Sequence, residues 1–583
     1  MLKTLGSQIK EFKIPAILTP LCMIGEVIFE MLIPLLMASI IDDGVGKGDM
    51  HHILVVGGFM LLMALGGLFF GIMGGKLGAR ASTGFARNIR EAMFDNIQTF
   101  SFSNIDKYST PSLVTRLTTD VTNLQMAFQM ILRMCTRAPI TMIVAMFMSF
   151  YINPKLASIY LIAVIILGVL LFGVISRAMK YFMEIFPRYD QLNESIEENV
   201  RGVRIIKAFV REEYETEKLH NASEAIYQMF CKAEKMVVLN TPLMKTTIYT
   251  CILIISWLGA KAITSSAMTT GELTSMLTYC MNILTSMMIF SMIFVMVTMS
   301  MASARRICEV LEEKADLADP EDPVTEVADG SIRFDHVNFR YHKNSGEKPV
   351  LQDINLSIRS GETIGIMGAT GSAKTSLVNL LSRLYDVDEG SVSVGGVDVR
   401  KYDMEVLRNQ VSVVLQKNVL FSGTIIDNLR WGDPGATEEE CREACRIACA
   451  DEFIEKMPDG YHTRLTQGGT NVSGGQRQRL CIARAILKKP RIIVFDDSTS
   501  AVDTATDAKI RKALAEEIPD TTKIIIAQRI SSVQDADRII VMDDGRIDAF
   551  DTHENLLKTN AIYREVYESQ INGNGDFDEG GDQ

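Results

Sequence analysis

The sequence predicts a two-part fold: an α-helical transmembrane domain of six spans with long cytosolic helical arms, followed by an α/β domain of the P-loop class. Long, charge-poor apolar runs before residue 304 predict the spans, and a strand, a glycine-containing loop and a helix at 363–378 predict the second domain. The length of 583 residues supports the same division, because one hydrophobic core rarely organises so long a chain.

The composition narrows the class of protein. Hydrophobic residues make up 47% of the chain and charged residues 22%, an average that indicates one apolar and one water-soluble part. The formal net charge of −12 excludes a generally basic nucleic-acid binder, so no nucleic-acid partner is expected. The ten cysteines form no closely spaced framework and are expected to be reduced thiols. Cys441, Cys445 and Cys449 fall on one helical stripe, which favours core packing over a metal site.

Six apolar stretches meet or approach the ~20 residues that cross a bilayer as a helix. The last has no charged residue between Glu272 and Arg305, which is too long a run for the core of a soluble protein. The third is short, and its boundary is the one that the sequence defines least. The expected spans are 15–41, 53–74, 138–152, 156–177, 246–265 and 273–304.

The distribution of Lys and Arg predicts the orientation of these spans. The connections 76–137 and 177–245 hold eight and eleven such residues, whereas 42–52 and 153–155 hold one each and 266–272 holds none. Both termini and both long connections are therefore expected in the cytosol, in a multi-pass protein of the cytoplasmic membrane. Each long connection is predicted to form antiparallel helices of roughly 25 residues, which project about 40 Å at 1.5 Å per residue.

Two carboxylates lie inside the first span. Glu26 and Glu30 are one helical turn apart, and carboxylates at membrane depth usually face a cavity or a partner group. Two interpretations remain open: contact with a cationic substrate, or a structural hydrogen bond to a neighbouring helix.

An acidic segment with two prolines, EKADLADPEDPVTEVADG at 313–330, is predicted to link the two domains. The expected boundaries are therefore 1–312 for the transmembrane domain, 313–330 for the linker and 331–571 for the P-loop domain. Residues 572–583, NGNGDFDEGGDQ, are rich in glycine and acidic residues, which predicts a disordered tail.

The stretch TIGIMGATGSAKTSLV at 363–378 has the pattern of a phosphate-binding loop. Backbone N–H groups of such a loop and the positive end of the next helix bind phosphates, with Lys374 expected at the β and γ oxygens and Thr375 at magnesium. The usual pattern has glycine before the lysine, where this chain has Ala373; if the position needs a positive φ, alanine costs about 1 kcal/mol. The residues assigned to the phosphate site are Gly368, Gly371, Ser372, Ala373, Lys374, Thr375 and Ser376.

The apolar run RIIVFDD at 491–497 is the second nucleotide motif. It predicts a buried strand that brings Asp496 to a magnesium ion, because Mg²⁺ prefers hard oxygen ligands and usually shares them with substrate phosphates. The two motifs together predict ATP and Mg²⁺ as ligands.

Between these motifs, the segment NVSGGQRQRLCIARAIL at 471–487 resembles the signature motif of ABC transporter ATPase domains, and residues 1–570 resemble an ABC exporter half-transporter. The resemblance implies six spans per half, arms that carry coupling helices and a C-terminal nucleotide-binding domain. It also implies that Tyr341 stacks on adenine, that Gln416 contacts Mg²⁺ and that Asp503 lies in the loop linking the two sites of a dimer. The residues implied to reach the γ-phosphate of ATP on a partner domain are Ser473, Gly474, Gly475 and Gln476.

Two positions depart from the family pattern. Asp497 stands where the family has its catalytic glutamate, and its carboxylate is one methylene shorter. Gln528 stands where the family has its switch histidine, and an amide cannot carry the positive charge of an imidazolium. Because a positioned base contributes about 10²- to 10⁴-fold to a rate, the ATP site of this chain is expected to hydrolyse slowly or not at all.

The signature motif, in contrast, stays close to the family pattern and is expected to serve a competent site on another chain. The prediction is therefore a heterodimeric ABC exporter of the bacterial multidrug type, whose second half-transporter carries the glutamate and the histidine. A homodimer with two slow sites and an ATP-gated channel or sensor remain alternatives, whereas six spans exclude a soluble repair ATPase. The substrate stays open among small amphipathic molecules, lipids and peptides.

Overall fold

The computed structural model describes residues 1–341, 348–497 and 502–572, and this part of the chain forms two compact units. The first unit comprises Met1–Thr99 and Tyr108–Glu313, and the second comprises Phe100–Lys107 and the residues from Lys314 onward. The predicted tail at 572–583 lies outside the described residues from position 573.

The first unit is built from helices, because its sequence combines long apolar runs with arms that contain few helix breakers. It also contains two π-helical turns. Ile40–Val45 follows the helix Lys13–Ser39, and Arg116–Asp120 precedes the helix Val121–Ile152. The helices numbered along the chain are α1 (Leu2–Ser7), α2 (Lys13–Ser39), α3 (Met50–Gln98), α4 (Phe102–Lys107, in the second unit), α5 (Thr110–Thr115), α6 (Val121–Ile152), α7 (Pro154–Arg201), α8 (Val203–Ala208), α9 (Glu212–Val238), α10 (Asn240–Thr264) and α11 (Thr270–Glu312).

Among the described residues, six helical stretches are long and apolar enough to cross a membrane, as the sequence predicts. They are Lys10–Val45, Met50–Gln98, Thr110–Ile152, Pro154–Tyr181, Glu212–Thr264 and Thr270–Phe290. The predicted arms are continuous with these spans, since α3 and α7 run for 49 and 48 residues.

The third span differs from its predicted extent of 138–152. Helix α6 begins at Val121 and continues through Pro139, so the predicted stretch is only its C-terminal half. Arg137 therefore lies within the helix that carries the third span, where the sequence alone placed it in the preceding connection. The charge is accommodated there because two carboxylates from α2 pair with it.

The short connections begin their next helices with side-chain caps. The side chain of Asn153 accepts hydrogen bonds from the backbone N–H groups of Lys155 and Leu156, and Pro154 occupies the first turn of α7. Thr269 and Glu272 form a capping box at the start of α11. These caps allow tight reversals between consecutive helices.

Buried tyrosines anchor the core of the helical unit. Tyr160 donates to the carbonyl oxygen of Met276 at 2.8 Å, and Tyr279 donates to that of Met31 at 2.7 Å. Both hydroxyls are thus satisfied within an otherwise apolar cluster, which ties α7 to α11 and α11 to α2.

The second unit contains three sheets. A four-stranded sheet has the order β2-β1-β4-β5, a six-stranded sheet has the order β12-β11-β3-β10-β9-β6, and β7 pairs with β8. The strands are β1 (Ile332–Phe339), β2 (Leu351–Ile358), β3 (Thr363–Gly368), β4 (Glu389–Val394), β5 (Val397–Asp398), β6 (Val411–Val414), β7 (Gly423–Thr424), β8 (Arg464–Leu465), β9 (Ile492–Asp496), β10 (Thr522–Ile526), β11 (Arg538–Asp543) and β12 (Arg546–Asp551).

Helices cover the six-stranded sheet, whose strands from β11 to β6 are parallel. Strands β9 and β10 are buried at all five positions, as expected where both faces of a parallel sheet are covered. The helices are α12 (Lys374–Asn379), α13 (Met404–Gln410), α14 (Ile425–Leu429), α15 (Glu438–Ile447), α16 (Asp451–Ile454), α17 (Gly474–Leu487), α18 (Thr504–Glu517), α19 (His553–Thr559) and α20 (Ala561–Asn572).

The register of this sheet positions the site. Ile526 pairs with Asp496 on one side and with Ile366 on the other, so the carboxyl ends of β3, β10 and β9 lie side by side. In parallel sheets, ligands bind outside these carboxyl ends.

On the helical side of the sheet, Cys441, Cys445 and Cys449 belong to the hydrophobic core and are at most 9% exposed. Their shared stripe on and just after α15 is a packing surface.

Candidate functional site

The loop between β3 and α12 has the backbone conformation of a phosphate cradle. Gly368 and Gly371 have φ angles of 151° and 89°, and a Cβ on Gly368 would collide with the carbonyl oxygen of Met542. Ala373, which precedes α12, has φ 69° and ψ 24° and therefore adopts the left-handed conformation that favours glycine. The position therefore has the positive φ that makes alanine strained there.

Lys374 lies inside this loop. Its ammonium donates to the carbonyl oxygens of Gly368 and Ala369 at 2.9 and 2.8 Å and to Ser372 Oγ at 3.3 Å. Burial lowers the pKa of Lys374, and the carboxylates of Asp496 and Asp497 oppose that effect. The positive charge is thus held at the centre of the loop, where phosphate oxygens would be neutralised.

Thr375 and Asp496 form a set of oxygen ligands that fits magnesium. The hydroxyl of Thr375 lies 3.1 and 3.0 Å from the two carboxylate oxygens of Asp496, which is 4% exposed. Burial raises the pKa of Asp496, the Asp497 charge adds to this, and the Thr375 hydrogen bond opposes it. A buried carboxylate beside a hydroxyl provides the hard donors that Mg²⁺ prefers.

The two unusual positions of the sequence contact each other. The side-chain amide of Gln528 donates to Asp497 Oδ2 at 3.0 Å, and the amide of Gln416 approaches the same oxygen at 3.5 Å. Asp497 has φ 48°, which aspartate tolerates better than most residues. A cavity of about 190 Å³ borders Asp497 and Gln528, so there is room for water beside this pair.

Tyr341, the residue assigned to adenine stacking, is held in an aromatic cluster. Its hydroxyl lies 2.8 Å from Ser376 Oγ, and its ring contacts Phe339 and Tyr385 edge-on at centroid distances of 4.9 and 5.0 Å. The tyrosine remains 37% exposed. It can therefore offer a ring face to a planar base while its other contacts fix it.

The signature residues form the start of α17. Ser473 Oγ accepts from the backbone N–H of Gln476 at 3.2 Å, and Gln476 Oε1 accepts from that of Ser473 at 3.0 Å. Gly474 and Gly475 follow the cap in the first turn. Because the serine oxygen only accepts in this capping box, its hydroxyl proton stays available for a phosphate oxygen.

Asp503 begins the next helix, α18, where its carboxylate accepts from the backbone N–H of Thr506 at 2.9 Å. In the described part of the chain, no hydrogen bond or ion pair joins Ser473 or Gln476 to Lys374 or Thr375. The structure thus brings together Lys374, Thr375, Gln416, Asp496, Asp497 and Gln528, and leaves the signature segment apart from them.

The carboxylates of the first span pair with a neighbouring helix. Arg137 on α6 contacts Glu26 Oε1 at 3.1 Å through Nη1 and Glu30 Oε2 at 2.9 Å through Nη2. Gly71 on α3 leaves the space for Glu26, since a Cβ there would lie 3.3 Å from the carboxylate. Arg137 is therefore the partner on a neighbouring helix that the structural interpretation of the two glutamates requires.

Sequence reasoning missed three residues that the structure connects to these sites. Arg137 is one. The sequence feature that could have indicated it is a positive charge at the edge of the third span, which could pair with Glu26 and Glu30 inside the first span. Tyr385 and Asp106 are the others: the phenol donates to the Asp106 carboxylate at 2.6 Å. These two are separated by 279 residues, and no local pattern links them.

Comparison with known proteins gives concordant matches. A family model described as "ABC transporter transmembrane region" matches residues 16–302, and one described as "ABC transporter" matches residues 351–500. An uncharacterized ABC transporter ATP-binding protein of Mycobacterium tuberculosis is 39% identical over 552 residues, covering 93% of each chain. The uncharacterized ABC transporter ATP-binding protein YfiB of Bacillus subtilis is 35% identical over 569 residues, covering 98% of each.

The chain is also similar to a lipid flippase and, in its fold, to an ABC exporter of known structure. The ATP-dependent lipid A-core flippase of Desulfotalea psychrophila is 33% identical over 494 residues, covering 84% of this chain and 85% of the flippase. A bacterial Atm1-family ABC exporter solved with ATP bound has a TM-score of 0.82 at 23% identity, covering 96% of this chain and 99% of the exporter chain. At that identity the likeness concerns the fold.

Proposed function

This chain belongs to the ABC transporter family, and on that premise we propose that it is one subunit of a heterodimeric exporter of the cytoplasmic membrane. In this proposal, ATP binding closes the nucleotide-binding domains of two different half-transporters. Closure converts the spans from an inward-facing to an outward-facing state, because ATP binds the closed state more tightly. Hydrolysis at the partner's site then resets the pair.

The observation that carries the heterodimer is the contact between Asp497 and Gln528. The short carboxylate is held by a neutral amide at 3.0 Å, so it accepts a hydrogen bond from a group that cannot become cationic. A water held by Asp497 would stand about one methylene farther from the γ-phosphate than one held by glutamate, and Gln528 would add no charge to the transferred group. This chain's Lys374 site would therefore bind ATP and hydrolyse it slowly.

The capping box at Ser473 supports the second half of the proposal. A serine with an available proton, two glycines without side chains and a helix start together suit contact with phosphate oxygens from another domain. We assign this segment to the partner's ATP, where the partner supplies the glutamate and the histidine. One site of the pair would then be slow and the other competent.

The substrate is proposed to be amphipathic. One relative moves a lipid, and the spans of this chain contain the charged group of Glu26, Glu30 and Arg137 beside apolar helices. Charged side chains at membrane depth usually mark a substrate or ion path. We therefore assign Glu26 and Glu30 to the substrate-facing part of the protein. The excess of Lys and Arg in the arms supports the proposal that both termini lie in the cytosol.

The test restores the family residues. Asp497→Glu combined with Gln528→His should raise the ATPase rate of the purified full chain at least tenfold, toward the roughly 10²- to 10⁴-fold that a positioned base contributes. Adding Lys374→Ala to the same variant is the control and should remove the gain.

Brisk ATP hydrolysis by the unmodified chain without any other subunit would contradict the unequal pair. A homodimer of slow sites predicts instead that the unmodified chain exports substrate by itself. An ATP-gated channel predicts movement of substrate only down its gradient, which inverted vesicles would reveal.

A further inference from the structure

A cavity of about 240 Å³, lined by both polar and apolar side chains, lies between α2, α6 and α11, within the helical unit. One water takes about 30 Å³ of liquid volume, so the space admits the head group of an organic molecule. Glu30 and Arg137 supply its charges, and Thr141, Asn282, Thr285 and Ser286 supply hydroxyl and amide groups. Met134, Ala138 and Ile289 form an apolar side.

The charges of Glu26, Glu30 and Arg137 do not cancel one another. Arg137 serves Glu26 and Glu30 at once, so the three side chains carry a net charge of −1 when ionised. Glu26 Oε2 is buried and has no hydrogen-bond partner among the described residues. An uncompensated negative charge at membrane depth is costly, which makes the cavity favourable for one additional positive charge.

Exposure indicates where that charge would bind. The side chain of Glu30 is 42% exposed and that of Arg137 is 36% exposed, whereas that of Glu26 is 17% exposed. Glu30 gives one oxygen to Arg137 and lines the cavity, whereas Glu26 pairs with the same guanidinium and is not among the lining residues. A ligand cation would therefore contact Glu30 first, with the hydroxyls of the lining as additional acceptors.

We propose that this cavity binds the protonated amino group of an amphipathic monocation, and that Arg137 limits the ligand to a single positive charge. The guanidinium acts as a tethered cation that neutralises one of two carboxylates and leaves the other charge for the ligand. The apolar side of the cavity would accommodate the hydrocarbon part next to the ammonium. This inference rests on the proposed export function and names its substrate class.

The proposal predicts that ligand charge follows the net charge of the three side chains. Glu30→Gln brings the sum to zero, Arg137→Gln brings it to −2, and the double change Glu26→Gln with Arg137→Gln restores −1 without any arginine. The double variant also avoids leaving two unpaired carboxylates in the membrane, so it keeps the proposal testable if Arg137→Gln does not fold.

Four probes that share a decyl chain separate charge from hydrophobicity: decylammonium, N-decylpropane-1,3-diammonium, which carries both charges at one end, decan-1-ol and decanoate. Binding of each labelled probe is measured on the full chain in phosphatidylcholine nanodiscs, with empty nanodiscs as background. The unmodified protein should bind decylammonium at least about tenfold more tightly than the alcohol or the carboxylate, because only the ammonium is attracted by the net negative charge of the three side chains. Glu30→Gln should remove this preference.

The diammonium probe tests the role of Arg137. It should bind more tightly than decylammonium to Arg137→Gln, whereas the double variant should return to preferring the single charge. Lys155→Gln removes one positive charge from an exposed position at the start of α7, and this control should leave every preference unchanged.

Equal binding of decylammonium and decan-1-ol by the unmodified protein would overturn the proposal, and so would a preference for decanoate. A charge preference that survives in Glu30→Gln would also overturn it. If binding follows the charges but the protein with its partner moves no probe, the site stands and the export function fails. If export occurs and binding ignores the charges, only the present inference fails.

Discussion

At the scale of single residues, Ala373 is an alanine at a position of the phosphate-binding loop whose backbone conformation favours glycine. Its φ of 69° belongs to the left-handed region, which glycine adopts without the penalty of about 1 kcal/mol that a Cβ brings. Ala373→Gly should therefore tighten ATP binding by up to about fivefold, because the loop would adopt its phosphate-binding conformation more readily. Isothermal titration of the full chain with a non-hydrolysable ATP analogue measures this.

Gly371 provides a matched control for that prediction. It lies two residues earlier in the same loop at φ 89°, and a Cβ there would meet no atom within 4 Å. Gly371→Ala therefore adds backbone strain without a collision and should weaken ATP binding by a similar factor. Equal affinities of all three proteins would show that backbone strain does not limit nucleotide binding here.

The resemblance to ABC transporter ATPase domains assigned Lys374, Asp496 and Gln528 to one site, and in the structure the parallel strands that precede or carry them end side by side. The sequence could not predict the φ of Ala373, which depends on the closed geometry of the loop. It also could not predict the pairing of Arg137 with Glu30, which are 107 residues apart in different helices. The predicted third span began one residue after Arg137, so the arginine was placed in the connection.

At the scale of secondary-structure elements, the short helix α4, which lies between α3 and α5 in the sequence, packs within the second unit. Asn104 Nδ2 donates to the carbonyl oxygen of Lys314 at 3.0 Å, and Ser103 Oγ donates to Asp316 Oδ2 at 2.7 Å. Phe102 lies beside the ring of Tyr385 at a centroid distance of 6.1 Å. Helix α4 is therefore fixed to the nucleotide-binding unit by both polar and aromatic contacts.

Tyr385 connects this helix to Tyr341, the residue proposed to stack on adenine. Its hydroxyl donates to Asp106 on α4, and its ring lies edge-on to Tyr341. Burial raises the pKa of Tyr385 and the hydrogen bond to Asp106 raises it further, so the phenol remains a donor at neutral pH. A movement of Tyr341 on nucleotide binding would thus be transmitted to α4 through the side chain of Tyr385.

Tyr385→Phe should lower the amount of substrate exported per ATP hydrolysed severalfold while leaving ATP affinity unchanged. The substitution keeps the ring contacts and removes only the bond to the exposed Asp106 carboxylate, a loss of about 1 kcal/mol. Export and ATP hydrolysis measured together in proteoliposomes give this ratio.

Tyr402→Phe is the control for that measurement. It removes a phenol that donates to the carbonyl oxygen of Val394 at 2.8 Å in the same unit, away from α4. It should lower thermal stability without changing the export ratio. An unchanged ratio in Tyr385→Phe would mean that the hydroxyl of Tyr385 does not contribute to coupling.

The elements themselves were the most predictable level of the structure. The lengths of α3 and α7 follow from apolar runs that pass into polar helical sequence without a breaker, and Gly202 ends α7 before α8. The packing of α4 was not predictable, because its polar and aromatic contacts are few and Tyr385 is distant from it in sequence.

At the scale of the whole molecule, the proposed asymmetry concerns two ATP sites that differ in the residues facing the γ-phosphate. This chain would hold ATP beside Asp497 and Gln528 and would offer Ser473 to the ATP of its partner. The two nucleotides of one complex would then have different fates. A homodimer would treat both alike, whether its two sites are slow or fast.

The composition of trapped nucleotide distinguishes these cases. When the chain is purified with its partner, incubated with Mg²⁺ and ATP, trapped with vanadate and denatured, the unequal pair should release ATP and ADP in equal amounts.

Asp497→Glu with Gln528→His should shift the retained ATP toward ADP. Ser473→Gly should do the reverse and leave mainly ATP, because the partner's site loses its hydroxyl donor. Glycine suits this substitution, since it costs only a few tenths of a kcal/mol at an N-cap, whereas alanine costs about 1 kcal/mol. Release of ADP alone by the unmodified complex would show that the Lys374 site cleaves ATP as readily as its partner does.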